Sequence, residues 1–257
     1  MPKNTAQLKT IFITGTDTGV GKTLLTGLLV HHLRSQGCRA LAIKPFCSGG
    51  RGDVELLHAL QDGELSEEEI NPFYFREALA PLVAARRKGR GIPLPEVLKS
   101  IYAIASRIHE RSEKHRNYLL IEGAGGVLTP LGETNLSRKG MKPHAWSTGN
   151  SIYTPANLMA ELDCEAIIVA PNKLGTINCT MLTLRELQHI GIQNITVVLM
   201  DLEKPENSAR TNPGVLAELA RPIRVFSVPF FERGALGIGT LKRNAKKIKK
   251  TLARILA

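Results

Sequence analysis

Apolar positions along the chain follow two rhythms. Short continuous runs at 8–13, 39–43, 118–121, 166–170, 195–200 and 223–228 have the length of buried strands, whereas 24–33, 54–60, 95–112, 179–189 and 242–256 read as helices. Runs that are mostly apolar suit strands covered on both faces, so the pattern predicts an α/β fold with a mostly parallel sheet flanked by helices. Turn residues agree with these limits. Gly37 stops the first helix, and Pro45 ends the second strand by removing a donor and biasing Lys44 towards extended backbone. Asp53 stands as the N-cap of the helix 54–60, and Thr154-Pro155 opens a short helix. The acidic stretch 61–69 and Asn71-Pro72 read as a connector. Leu131 to Tyr153 has no clear period and reads as one long loop, with an insertion around 136–153 holding Arg138, Lys139, Lys142 and Trp146. The segment 242–256 is expected to be one basic amphipathic helix.

The first strand-to-helix passage carries the most specific signal. Thr14-Gly15-Thr16-Asp17-Thr18-Gly19-Val20-Gly21-Lys22-Thr23 lies between an apolar run and a helical period, the context of a phosphate-binding loop. Backbone N–H groups of such a turn, with the helix dipole, hold a phosphate chain largely by main chain. Lys22 would reach the outer phosphates and the Thr23 hydroxyl would ligate Mg²⁺. The first glycine of the strict motif would fall at Thr16; here it sits one residue earlier, at Gly15. Asp17 occupies the place of the second lysine of a related variant. A glycine-rich turn without a ligand is the alternative; the intact Gly21-Lys22-Thr23 and its flanks favour a nucleoside triphosphate.

At 257 residues and 43% hydrophobic content, the chain is expected to form a single P-loop α/β domain over 1–257. Its polar opening and lack of a long apolar run predict neither signal peptide nor membrane span. Cys38, Cys47, Cys164 and Cys179 are scattered without CxxC pairs, which predicts reduced thiols in a cytoplasmic protein. A net charge of +11 raises a nucleic-acid partner, and the excess gathers at 86–90, 107–116 and 242–250. No aromatic residues interleave these clusters and no nucleic-acid motif accompanies them. Solvated helix faces are therefore favoured, and nucleic acid is not expected as a partner.

In a parallel sheet, ligands sit beyond the carboxyl ends of the strands. Three predicted strand ends deliver the phosphate loop, Lys44 and Glu122 to one crevice. Thr23, Asp53 and Glu122 would offer oxygen ligands to Mg²⁺ beside a triphosphate. Asp53 reads equally well as a helix cap, and Glu122 as a strand-end carboxylate facing water, although Gly123-Ala124-Gly125-Gly126 after it would let backbone approach a ligand. Lys44 is either a solvated charge or a second ammonium beside Lys22 that stabilises an anion attacking another anion. Ser48-Gly49 would give that anion a hydroxyl and an N–H. GxSxG, HExxH and GxGxxG are all lacking.

Taken together, Gly15 to Thr23, Lys44-Pro-Phe-Cys-Ser48-Gly, Asp53, Glu122-Gly-Ala-Gly-Gly-Val-Leu-Thr-Pro130 and Lys173-Leu-Gly-Thr-Ile-Asn178 resemble the dethiobiotin synthetase family, over about residues 10 to 235. The resemblance implies a homodimer that closes a cyclic urea on 7,8-diaminononanoate from CO₂ and ATP, with Mg²⁺. It implies catalytic roles for Lys22 and Lys44, and metal contacts from Thr23, Asp53 and Glu122. Nucleotide contacts are implied for Thr18, Gly19, Val20, Gly21, Lys22, Thr23, Leu24, Asp53, Glu122, Gly123, Ala124, Gly125, Asp201, Pro229, Phe230 and Phe231. Substrate contacts are implied for Thr16, Ser48, Gly175, Thr176 and Asn178, the turn 175–178 reaching the substrate tail of the other subunit. Asn178 also reads as an N-cap alone. Met200-Asp201 departs from the family's frequent Asn-Asp, so an amide that would read adenine is missing. A partition-type nucleotide-switch ATPase that holds DNA is the competing expectation; Lys44-Pro45 has no explanation within it. A corrinoid amidoligase is a second, for which the chain has no room for a glutaminase domain.

Overall fold

The continuous apolar runs become the strands of a central sheet. The computed structural model of the protein describes residues 8–110, 116–134, 151–232 and 234–257. In chain order the elements are β1 (Leu8–Gly15), α1 (Lys22–Ser35), β2 (Arg39–Ile43), β3 (Phe46–Ser48), α2 (Gly52–Leu60), α3 (Glu67–Ile70), β4 (Phe73–Phe75), α4 (Pro81–Arg87), α5 (Leu94–Glu110), β5 (Asn117–Gly126), β6 (Gly132–Thr134) and β7 (Ser151–Tyr153). They continue with α6 (Pro155–Glu161), β8 (Glu165–Pro171), α7 (Thr176–His189), β9 (Ile195–Met200), α8 (Asn212–Leu219), β10 (Arg224–Val228), α9 (Ile238–Lys247) and α10 (Lys249–Leu256). Six strands form one sheet in the order β10-β9-β8-β1-β5-β2, and each neighbouring pair is parallel. This is the α/β architecture that the apolar pattern predicts.

Burial on both faces explains the unbroken apolar runs. Leu119, Leu120 and Ile121 of β5 and Val197, Val198 and Leu199 of β9 are each fully buried, as are Leu25, Leu28 and Leu29 of α1 packed on the sheet. Each such side chain contributes on the order of 1.5–3 kcal/mol to the folded state. Among the described residues no helix is long and apolar enough to cross a membrane.

Four expectations need correction. The stretch 61–72 is more than a connector, because α3 forms within it, β4 follows directly after it, and it closes the open edge of β2. The Gln61 amide accepts from Ala42 N and donates to Ala42 O at 2.8 and 2.9 Å, standing in for a missing neighbouring strand. A capping box of Ser66 and Glu69 starts α3, a signal present in the sequence. Second, the long loop 131–153 is bounded by the antiparallel pair β6 and β7; the rest of the expected insertion, with Arg138, Lys139, Lys142 and Trp146, lies outside the described residues. Third, α7 begins at Thr176 after Gly175, so Asn178 sits inside the first turn and is not the cap. Fourth, the C-terminal helix is two helices, interrupted at Ile248.

Candidate active site

Glycines shape the loop between β1 and α1. At Gly21 φ is +99°, a conformation that L side chains rarely adopt, and a Cβ there would lie 3.1 Å from Met200 Cγ. Gly15 explains the shifted motif: a Cβ would lie 2.8 Å from Val20 Cγ2 and 3.0 Å from Lys22 Nζ, so the close turn requires glycine one residue early. Lys22 is 6% exposed, and its ammonium donates to Asp17 O at 2.8 Å. Burial lowers the Lys22 pKa to about 8, with the charge of Lys44 acting in the same direction and Glu122 opposing both.

Strand register brings the other charges here. Ile43 pairs with Ile121 and Ile13 with Glu122, so Lys44 and Glu122 emerge side by side, level with the end of β1. Lys44 Nζ donates to Glu122 Oε1 at 2.8 Å and also to Asp53 Oδ2. The Thr23 hydroxyl donates to the same Glu122 Oε1 at 2.7 Å. Burial works against the Lys44 charge, but the carboxylates of Glu122 and Asp53 outweigh it and hold the ammonium above the ordinary lysine range. Glu122 is 1% exposed within β5, which runs on to Gly126, so it is not a carboxylate facing water. Asp53 is not the N-cap of α2, which is Arg51; it lies in the first turn, where its side chain reaches Lys44.

The backbone of Lys44 is held as firmly as its side chain. Its N–H donates to Ile70 O at 2.9 Å, and Asn71 Nδ2 donates to the carbonyls of Lys44 and Pro45 at 2.9 and 3.2 Å. Asn71 was legible only as part of an Asn-Pro connector.

These groups line a cleft of about 800 Å³. Thr18, Gly19, Gly21, Lys22, Thr23, Leu24, Lys44, Ser48, Asp53, Glu122, Gly123, Ala124 and Gly125 all line it, as expected from sequence. Sequence reasoning missed Phe46, Cys47, Ala78, Leu79, Ala80, Pro81, Thr129 and Leu236. Pro81 at the first position of α4 was an available signal, whereas Leu236 comes from a loop without one. Buried Cys47 donates its thiol to Gly50 O at 3.2 Å, and burial raises its pKa. Two buried oxygens, Ser48 Oγ and Glu122 Oε2, have no hydrogen-bond partner.

The remaining expected residues lie away from this lining. Val20 turns its side chain into the core, and Thr16 N donates to Val169 O at 3.0 Å. Asp201 Oδ1 accepts from Asn172 Nδ2 at 2.7 Å, and Asn172 Oδ1 accepts from Asn212 Nδ2 at 3.1 Å, so this carboxylate is partly committed to a polar network. Beyond β10, Phe230 is 42% exposed and Phe231 packs against the core. Gly175 and Asn178 are exposed, and Thr176 is buried with its hydroxyl unpartnered.

Comparison with known proteins places this geometry. A family model described as an AAA domain matches residues 9–229. The ATP-dependent dethiobiotin synthetase BioD of Bacillus licheniformis is 35% identical over 215 residues, 81% of this chain and 80% of that protein. That of Anaeromyxobacter sp. (strain Fw109-5) is 36% identical over 219 residues, covering 83% and 85%. Among solved structures, the cell division protein MinD of Aquifex aeolicus superposes with a TM-score of 0.55 at 14% identity, covering 96% of this chain and 97% of that one. A putative plasmid partition protein of Borrelia burgdorferi B31 gives 0.56 at 12%, covering 97% and 98%. At such identity these two establish the P-loop fold and nothing further, including for the partition-type alternative. With the phosphate loop, Lys44 and Glu122 meeting at one cleft, and with sequence similarity over four-fifths of its length, the chain belongs to the ATP-dependent dethiobiotin synthetases, enzymes of the ligase class.

Proposed function

We propose that the protein carboxylates 7,8-diaminononanoate and closes its ureido ring at the expense of ATP. CO₂ adds to one amine, forming a C–N bond and, after loss of the amine proton, a carbamate. A carbamate oxygen attacks the γ-phosphorus as the bond to ADP breaks. The second amine then attacks the carbamoyl carbon of the mixed anhydride, phosphate leaves with the C–O electrons, and the amine proton is lost. The observation that carries this reading is the pair of buried ammonium groups, Lys22 and Lys44, on one cleft. Lys22 suits the outer phosphates of the nucleotide. Lys44, fixed through its own backbone, suits the carbamate and the charge that builds as one anion attacks another. Ser48 Oγ, buried and unpartnered, is available to the same anion.

A magnesium ion fits the oxygens present. Thr23 Oγ1 and Glu122 Oε1 already lie 2.7 Å apart, Asp53 reaches the same ammonium as Glu122, and Glu122 Oε2 is buried without a partner. Bound there, Mg²⁺ would neutralise phosphate charge.

The substrate's carboxylate tail needs a second anchor, and the turn 175–178 at the start of α7 is proposed to supply it from the partner in a homodimer. Exposed apolar side chains beside that turn, Leu174 at 78% and Leu182 at 59%, support an interface there. Base contacts fall to Asp201 and to Pro229, Phe230 and Phe231. With one Asp201 oxygen held by Asn172 and Met200 in place of an amide, discrimination between bases is weak.

The test is phosphate release from ATP with and without diaminononanoate plus bicarbonate, read alongside dethiobiotin formation. Stoichiometric, substrate-dependent release is expected. Release that ignores the diamine and responds to DNA would overturn the reading.

A further inference from the structure

The surplus of positive charge on this chain is concentrated in one place. Residues 238–257 hold seven Lys or Arg and no Asp or Glu, leaving 27 against 23 over the other residues. Three basic clusters stand out along the chain, and the fold treats them differently. In 86–90, Arg86, Arg87 and Arg90 pair with Glu133, Glu77 and Glu96, and Lys88 lies over the Phe75 ring. In the described part of the second, Arg107 pairs with Glu69. By contrast Lys242, Arg243, Lys246, Lys247, Lys249, Lys250 and Arg254 are all exposed, and none is in ion-pair range of a carboxylate among the described residues.

The elements packed against α9 and α10 reinforce the sign. α1 has no acidic residue and contributes His31 beside Lys242 and His32 beside Lys249. β10 has none either; its Arg224 and the Arg254 of α10 both lie against the Phe226 ring, at 5.9 and 5.3 Å. α2 offers only Asp53, already paired with Lys44, and Glu55. Cations at 242 and 246, 243 and 247, and 250 and 254 stand one helical turn apart, where like charges repel. The apolar side of the two helices is consumed by the core: Leu241, Ala245, Leu252 and Ile255 are at most 3% exposed.

We propose that the outer face of α9 and α10 is a docking surface for the phosphate backbone of a nucleic acid, bound without regard to sequence and apart from the catalytic cleft. A row of cations with no carboxylate in ion-pair range among the described residues complements a polyphosphate strand, and counterion release drives such binding. An acidic membrane is the less fitting partner, because among the described residues Ile238, at the start of α9, is the one large apolar side chain that these two helices expose. The inference does not depend on the reaction assigned to the cleft.

The test is fluorescence anisotropy with a labelled mixed-sequence 30-base-pair duplex DNA and the full chain, between about 50 and 200 mM salt. Binding is expected, with log affinity falling against log salt at a slope of about −4 to −6 if four to seven cations engage phosphates. Reversing Lys246, Lys247, Lys249 and Lys250 to Glu is expected to weaken binding more than fiftyfold. Their replacement by Gln should flatten the slope by about 3 to 4. Both variants should unfold cooperatively with a thermal midpoint close to the parent's, which reports that they fold. Reversing Arg86 and Arg87, whose charges are already paired, should leave DNA affinity within about twofold. Equal binding by the Gln and parent proteins, no binding at 50 mM salt, or binding to phosphatidylglycerol vesicles in preference to duplex would each overturn the proposal.

Discussion

The carboxyl edge of the sheet has two halves with different characters. On the side of β1, β5 and β2, each strand end delivers a charged group, and register neutralises them locally: Lys44 meets Glu122 and Asp53, and Thr23 meets Glu122. On the side of β8, β9 and β10 the groups are mostly neutral. Asn172, Asp201 and Asn212 bond to one another, and Leu174 and Phe230 are exposed beside them. The first half is the one to which the proposed ATP-dependent reaction is assigned. The second has polar groups engaged among themselves and exposed apolar groups, and is the half to which the proposed tail and base contacts are assigned.

The contrast is broken most directly at Lys44. Lys44→Gln is expected to lower single-turnover ring closure about a thousandfold while changing nucleotide affinity less than about fivefold, since its charge acts on the acceptor side of the γ-phosphate. Collapse of nucleotide binding with normal turnover of the bound complex would make it a phosphate ligand instead. Glu122→Gln keeps shape and removes charge, and a loss of about a hundredfold in turnover is expected with little change in thermal midpoint. Near-normal turnover at saturating Mg²⁺ would take Glu122 out of metal binding.

A smaller effect should follow pH. Burial places the Lys22 pKa near about 8, below that of a free lysine, so its charge is lost as pH rises through that value. ADP affinity measured by calorimetry is expected to fall about tenfold between about pH 7 and 9, and Lys22→Met should abolish the dependence. A flat profile in the parent protein would mean that Lys22 stays charged or contributes no binding.

The mildest effect sharpens the second half. Mixing Asn178→Ala with Lys44→Gln subunits should restore about half of normal activity per mixed dimer, because one of two sites then has both defects excluded. If subunits exchange and activity stays at the level of the parents, the tail is not captured across the interface.

Legibility followed the same division. The phosphate loop, Lys44 and Glu122 were readable because glycine or proline directly follows or shapes each, and parallel strands converge towards their carboxyl ends. Asn71 and Gln61 were not, because each acts on a strand that is distant in sequence. The start of α7 was misplaced by three residues, since Asn178 reads as a cap whereas the observed cap, Gly175, has no side chain to signal it.

Local sequence thus determined the elements, their layering and the chemistry at β1, β2 and β5, because apolar period and backbone restriction act within a few residues. Tertiary structure alone decided which charges are paired. It closed Lys44 against two carboxylates 9 and 78 residues away and neutralised the basic cluster at 86–90. It left the cations of α9 and α10 without a carboxylate in ion-pair range among the described residues, because a charge is answered only by what the fold brings within a few ångströms of it.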